Sequence, residues 1–315
     1  MGLVNPVMIV GAGIAGVAAA QAITAAGLPV VVLDRGVKIG GRMASRRTDD
    51  RPVDTGASYF TASDPAFEAV VDHWQQRGLA RPWTDTFGVF DDGELSLKSG
   101  PMRWGAAHGL RRLVEAMATG LDVRQRDVTA VGPDLTVDGE PAAAVVLAMP
   151  DPQARRLLHP SYASEIDALD DPFEPVLALT ARWLERFWDV DGVFVAKHPL
   201  ISWIADDGRR RGDDAPVLVA HSSSEFAAEH LDGPDQTIPV LVRAVRDVLK
   251  IDVAPESTRI HRWTYARPTG RRQRPYFLSD ANIGMCGDAW SEKPRVEAAY
   301  LSGRALGEAL AQRLA

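Results

Sequence analysis

The sextet Gly11-Ala12-Gly13-Ile14-Ala15-Gly16 constrains the fold of this chain more than any other stretch. It stands between a short apolar run, Val7-Met8-Ile9-Val10, and an alanine-rich segment from Ile14 to Ala26 that stops at Gly27. The apolar run reads as a buried strand, alanine is the strongest helix former, and a glycine just past a helix suits its left-handed end. A second β-branched run, Pro29-Val30-Val31-Val32-Leu33, follows and ends at Asp34. Strand, helix and strand in so few residues make a tight βαβ unit. In such a unit Gly11 makes the turn, Gly13 lets backbone approach a pyrophosphate, and Gly16 lets helix and strand pack closely. The helix start offers free N–H groups and a partial positive charge to phosphates. Asp34 stands where an acidic residue accepts hydrogen bonds from a ribose diol.

Composition removes whole classes of function. Lys and Arg total 35 against 42 Asp and Glu, a net charge of −7, so the basic surplus of a nucleic-acid binder is missing. A single cysteine, Cys286, rules out an internal disulfide and fits a reducing compartment. The seven histidines fall in no metal-ligand spacing, so no metal is expected. No charge occurs from Gly2 to Leu33, which invites a leader or a membrane span. Gly11, Gly13, Gly16, Gly27 and Pro29, a missing basic start and the βαβ parse argue against both. Pro6 stands where a myristoylated Gly2 would need Ser or Thr. The expectation is a soluble, cytoplasmic protein with no membrane contact.

Two later stretches read as returns to the same sheet: Ala143 to Pro150, and Asn282 to Asp288, with a helix from about Arg295 to Leu314. Residues 71–105 and 151–279 hold seven of the eight tryptophans. Their alternating segments, Val176 to Arg182 and Pro216 to His221, suggest antiparallel strands with one wet face. The expected organisation is a nucleotide domain (1–70, 106–150 and 280–315) interrupted by a β-rich substrate domain (71–105 and 151–279).

Gly40-Gly41-Arg42-Met43-Ala44-Ser45 and Asp54-Thr55-Gly56-Ala57-Ser58-Tyr59-Phe60 follow Asp34. They resemble the double-glycine motif of FAD-dependent amine oxidases, desaturases and related flavoproteins. Adding Val146 to Pro152, His261 to Ala266, and Cys286-Gly287-Asp288 leading to Arg295 to Gly303, the chain resembles the renalase family over nearly its whole length. The resemblance implies noncovalent FAD in an α/β fold like that of p-hydroxybenzoate hydroxylase, a Rossmann-type FAD-binding domain with an inserted β-rich substrate domain. By carry-over, Gly11, Gly13, Ile14, Ala15 and Gly16 hold the pyrophosphate, and Asp34, with Arg35 beside it, the adenosine ribose. Gly41, Arg42 and Met43 lie along the cofactor, Gly56 and Ala57 approach its isoalloxazine, and Val128 meets the adenine. Gly287 and Asp288 reach the ribityl chain, and Arg295, Val296 and Ala298 bring a helix N-terminus to the flavin N1/O2 edge. The family commonly has glutamine where Ser58 stands and glycine where Ala299 stands.

Renalase-type enzymes oxidise dihydronicotinamides reduced at the wrong ring carbon, 2- or 6-dihydroNAD(P), to NAD(P)+, with oxygen taking the electrons as hydrogen peroxide. The cofactor supplies the power of such a reaction and no general base is required. The expected pocket is aromatic with a few polar anchors, and Tyr59, Trp203, His221, Trp263 and Trp290 are its candidates. Each aromatic also reads as core packing, His221 as a structural histidine, and Cys286 as a small packing residue. Two arginine clusters, Arg209 to Arg211 and Arg271 to Arg274, read as solvated loops, or alternatively as forks for a substrate pyrophosphate. Three other functions stay open: an amine oxidase, a flavin-binding redox-responsive interaction protein without turnover, and a flavin monooxygenase. None of the five lysines sits in a motif tied to the flavin, as the amine oxidase reading would favour. The partners are then a small-molecule substrate, a dihydronicotinamide dinucleotide or an amine, and molecular oxygen.

Overall fold

The computed structural model describes residues 5–48 and 51–315, so Gly2 lies outside the described residues. Two sheets organise the chain. The strand Val7–Val10 is completely apolar and buried, and it pairs in parallel with Val30–Asp34 on one side and Ala144–Leu147 on the other. Val123–Gln125 extends the sheet beyond Val30–Asp34, and Ile283–Met285 and Phe277–Leu278 extend it beyond Ala144–Leu147, giving six strands. A central strand with buried neighbours on both faces needs no alternation, which explains the continuous Val/Ile/Leu runs.

The first helix, Ile14–Ala25, packs on the last, Val296–Leu314. Small residues make that contact possible: a Cβ on Gly303 would fall 1.9 Å from the Ala15 carbonyl oxygen, and one on Gly307 2.6 Å from that of Ala19. Val296–Leu314 is anchored at its start by Glu297, which is fully buried. Its carboxylate accepts from the backbone N–H groups of Ser63 at 2.6 Å and Asp64 at 2.7 Å, ahead of the helix Pro65–Gln76. Trp74 of Pro65–Gln76 packs in this same core, although it falls within the stretch expected in the β-rich domain.

The second sheet has seven strands in the order Ser257–Pro268, Phe173–Arg182, Val217–Ser222, Ile201–Asp206, Gly192–Val195, Ala80–Asp91 and Glu94–Ala106. The antiparallel pairing expected for 176–182 with 216–221 is observed. The wet face is not. Val217–Ser222 is buried along nearly its whole length. One face of the sheet packs on the helix Ile238–Leu249 through Leu177, Leu179, Leu218 and Ala220. Its other face turns towards the six-stranded sheet and walls the space between them. No described helix is long and apolar enough to cross a membrane.

Candidate active site

A cavity of about 1880 Å³ runs between the two sheets. Ordinary small-molecule pockets span roughly 300–1,000 Å³, so there is room for a dinucleotide and a second ligand.

At one end two glycine turns meet. Gly11 has φ +108°, and a Cβ there would sit 2.5 Å from the Ala148 carbonyl oxygen, so only glycine fits. The Gly40 N–H donates to the Ala12 carbonyl at 2.9 Å, and a Cβ on Gly41 would come within 3.2 Å of the Gly13 Cα. Gly13 itself would meet nothing nearer than 3.9 Å, which leaves a bare backbone facing open space at the start of the first helix. Asp34 closes the turn, its carboxylate accepting from the N–H groups of Ala12 and Gly36, each at 2.7 Å. Each oxygen keeps a further lone pair for a ribose hydroxyl. This cradle fits the pyrophosphate and ribose of FAD on its own geometry.

Of the residues expected at the cofactor, Ile14, Ala15, Asp34, Arg35, Gly41, Arg42, Met43, Gly56, Ala57, Val128, Gly287, Asp288, Arg295 and Val296 all border this cavity. Two do not. Gly16 is a packing position, where a Cβ would fall 2.0 Å from the Gly11 carbonyl oxygen, and Ala298 lies off the lining while Ala299 is on it. Arg42 and Asp288 are paired to each other, Nη1 to Oδ2 at 2.9 Å and Nη2 to Oδ1 at 2.5 Å, with Nη1 also donating to the Ala266 carbonyl. This fork ties the double-glycine segment to the strand Ser257–Pro268.

The middle of the cavity is set by residues 54–59. The Ala57 N–H donates to the Arg42 carbonyl at 2.9 Å, and a Cβ on Gly56 would collide with that same carbonyl at 2.0 Å. Two tryptophans from the seven-stranded sheet fasten this loop: Trp263 Nε1 donates to the Thr55 carbonyl at 2.8 Å, and Trp203 Nε1 to Ser58 Oγ at 2.9 Å. Ser58, the position where the resembling family commonly has glutamine, is thus a buried acceptor for an indole.

Four of the five aromatic or histidine candidates converge here. Phe194, Trp203, His221, Ala178 and His261 are successive cross-strand partners, so the sheet presents them as one row. Tyr59 packs against Trp203 with centroids 5.7 Å apart, and Trp263 lies edge-on to His261 at 4.7 Å. Trp290 borders the cavity but packs with the cluster beneath Met285 and Ala289, under the Arg272 guanidinium at 4.0 Å. Phe194 and His261 escaped the sequence reading, since register across five strands assembles the row. Burial above all, helped by the Arg210 guanidinium, lowers the His221 pKa to about 4. Burial with Arg46 and Arg262 does the same for His261. Both imidazoles are therefore neutral near pH 7. Burial pushes the Cys286 thiol up to about 12, leaving it an inert packing group.

The first arginine cluster differs from the solvated-loop reading, while 271–274 is a loop with Arg271 and Arg274 exposed. Arg210 and Arg211 are buried, 1% and 4% exposed, and sit in the short helix Asp207–Arg211 among Asp207, Asp54 and Arg51. Arg272 pairs with Asp151 and Asp170. Neither cluster lines the cavity. Other cations do: among the described residues eleven Arg or Lys side chains border it, against five carboxylates. In an acidic chain this is a local reversal of charge. Among the described residues no group of His, Cys, Asp and Glu could hold a metal ion.

Cradle, double-glycine segment and aromatic wall together define an FAD-binding oxidoreductase fold. Residues 9–74 match the NAD(P)-binding Rossmann-like domain family, and residues 73–306 the family described as flavin containing amine oxidoreductase. The chain belongs to the flavin-containing amine oxidoreductase family, and FAD is its cofactor. Among solved structures it is similar to one described as a protoporphyrinogen oxidase from Exiguobacterium sp. 255-15, with TM-score 0.78 and 15% identity, covering 98% of this chain and 99% of that one. A cyclohexylamine oxidase from Brevibacterium oxydans IH-35A gives TM-score 0.76 at 13% identity, with the same coverage. A putrescine oxidase variant gives 0.76 at 16%, again covering 98% and 99%. A hydroxyneurosporene desaturase from Rubrivivax gelatinosus is 44% identical over 55 residues, which is 18% of this chain and spans 10% of that enzyme.

Proposed function

We propose that this protein oxidises dihydronicotinamide dinucleotides reduced at the wrong ring carbon, 2- or 6-dihydroNAD(P), to NAD(P)+ with oxygen as electron acceptor. The observation that carries this reading is the charge of the cavity. Eleven cations against five carboxylates exceed what the FAD pyrophosphate needs, and they suit a second phosphate-bearing ligand. FAD, when bound, supplies two-electron acceptance at its ring and reoxidation by oxygen. The chain supplies placement: Trp203, Trp263 and Tyr59 offer flat walls to a neutral ring, and the neutral His221 and His261 add no charge. The balanced reaction is dihydroNAD(P) plus O2 plus H+ giving NAD(P)+ plus H2O2.

The second reading is an amine oxidase, favoured by the family and by the substrates in the names of the putrescine and cyclohexylamine oxidases. A protonated amine would enter a cavity of its own sign. Peroxide release decides between them: dihydronicotinamide isomers should give it and alkylamines should not. Peroxide from amines alone would establish the second reading. A flavin-replete protein releasing none with either would leave the redox-responsive binding protein.

A further inference from the structure

Arg210 reaches from the short helix Asp207–Arg211 into the loop that faces the cavity. Its Nη1 donates to the Ser58 carbonyl at 2.7 Å and its Nη2 to the Asp54 carbonyl at 3.4 Å, while Nη2 also pairs with the Asp207 carboxylate. Gly105 lets the segment pass, since a Cβ there would sit 2.6 Å from the Arg210 carbonyl oxygen. The guanidinium is also 5.9 Å from the Trp83 ring centroid. Asp54, Thr55 and Ser58 are therefore held at three points: by Arg210 of that helix on the two carbonyls, and by Trp263 on Thr55 and Trp203 on the Ser58 hydroxyl from the seven-stranded sheet.

Burying an arginine is costly, and here neighbouring carboxylates offset it. Three guanidinium groups, those of Arg51, Arg210 and Arg211, share two buried carboxylates, Asp54 and Asp207, with Asp213 on the outer side of Arg51. A cluster serving only to pin two domains would be balanced more cheaply by apolar contact. Three polar atoms of adjoining residues also lack a protein partner: Arg210 Nε, Thr55 Oγ1 and His221 Nε2. Buried polar groups are rarely left so unless they serve a ligand or water. His221 borders the cavity, and Thr55 precedes the bordering Gly56, whereas Arg210 does not border it.

We propose that Arg210 is a positioning residue. Its fork holds the Ser58 and Asp54 carbonyls, so that Gly56 and Ala57 between them keep their place at the cavity where FAD would lie. This rests on the geometry of the loop, whichever substrate is oxidised.

The test compares Arg210→Gln with Arg210→Lys. FAD affinity is read by quenching of flavin fluorescence, and melting of the FAD-free protein shows whether each variant folds. Both variants lose the two-pronged fork, so both are expected to bind FAD about tenfold more weakly while the FAD-free protein still unfolds cooperatively. FAD affinity unchanged in both variants overturns the proposal. If neither 6-dihydroNAD nor an alkylamine reduces the wild-type flavin, the functional reading fails, and FAD affinity still decides the role of Arg210.

Discussion

Replacing Asp34 by asparagine tests the carboxylate that closes the glycine turn and that we propose takes the cofactor ribose. Each carboxylate oxygen receives one backbone N–H at 2.7 Å, from Ala12 and from Gly36, and keeps capacity for a ribose hydroxyl. Asparagine preserves shape but replaces one oxygen by an NH2 group that points a donor at a backbone donor. A hydrogen bond to a charged group contributes about 1.5–3 kcal/mol. At 1.4 kcal/mol per tenfold, the dissociation constant for FAD should rise about 10- to 150-fold. Apoprotein titrated with FAD, read by quenching of flavin fluorescence, measures this directly, and melting of the apoprotein shows how far the turn itself is weakened. A dissociation constant within about threefold of wild type would refute the reasoning, because it would remove Asp34 from the cofactor's energetics.

Gly11→Ala should lower the melting temperature more than Gly27→Ala: both glycines have positive φ, but only at Gly11 does the new methyl meet a carbonyl, at 2.5 Å. Overpacking adds about 1–3 kcal/mol there, and equal losses in thermal unfolding would count against the turn's role. Cys286 should resist thiol reagents in the native protein and react once unfolded, and acid precipitation should leave FAD in solution. Flavin remaining with the pellet would show a covalent link. His221 and His261 titrate near 4 in the folded chain and near 6.5 unfolded, so the unfolded state binds more protons below pH 6.5. Stability should therefore fall as pH drops from 6.5 towards 4. His221→Gln should flatten that slope in urea melts, and an unchanged slope would show that the imidazole is not buried neutral.

The parts legible in the sequence are those whose chemistry is local. Gly11, Gly16, Gly41 and Gly56 announce themselves because backbone conformation or close approach forbids a side chain at those points. Asp34 is readable because it ends a strand beside its own turn. The aromatic row was half legible: Trp203 and His221 stand out as residue types, but Phe194 and His261 join them only through strand register. Arg210 and Arg211 misled because three successive arginines read as a wet loop. The partners that bury them, Asp54 and Ser58, lie more than 150 positions away in sequence. One local hint existed, since Asp207 precedes Arg210 and Arg211 by three and four positions on a helix. Trp74 shows the limit of composition: tryptophan content says that a core exists, not which sheet it covers.

Anaerobic stopped-flow absorbance of the flavin tests the central claim most directly, with FAD-replete protein mixed separately with 6-dihydroNAD, 2-dihydroNAD, ordinary NADH and a set of alkylamines. The cationic, aromatic cavity leads us to expect rapid bleaching by the 2- and 6-isomers, slow or no bleaching by NADH, and none by the amines. Bleaching by amines with the isomers inert would contradict the account and make the protein an amine oxidase.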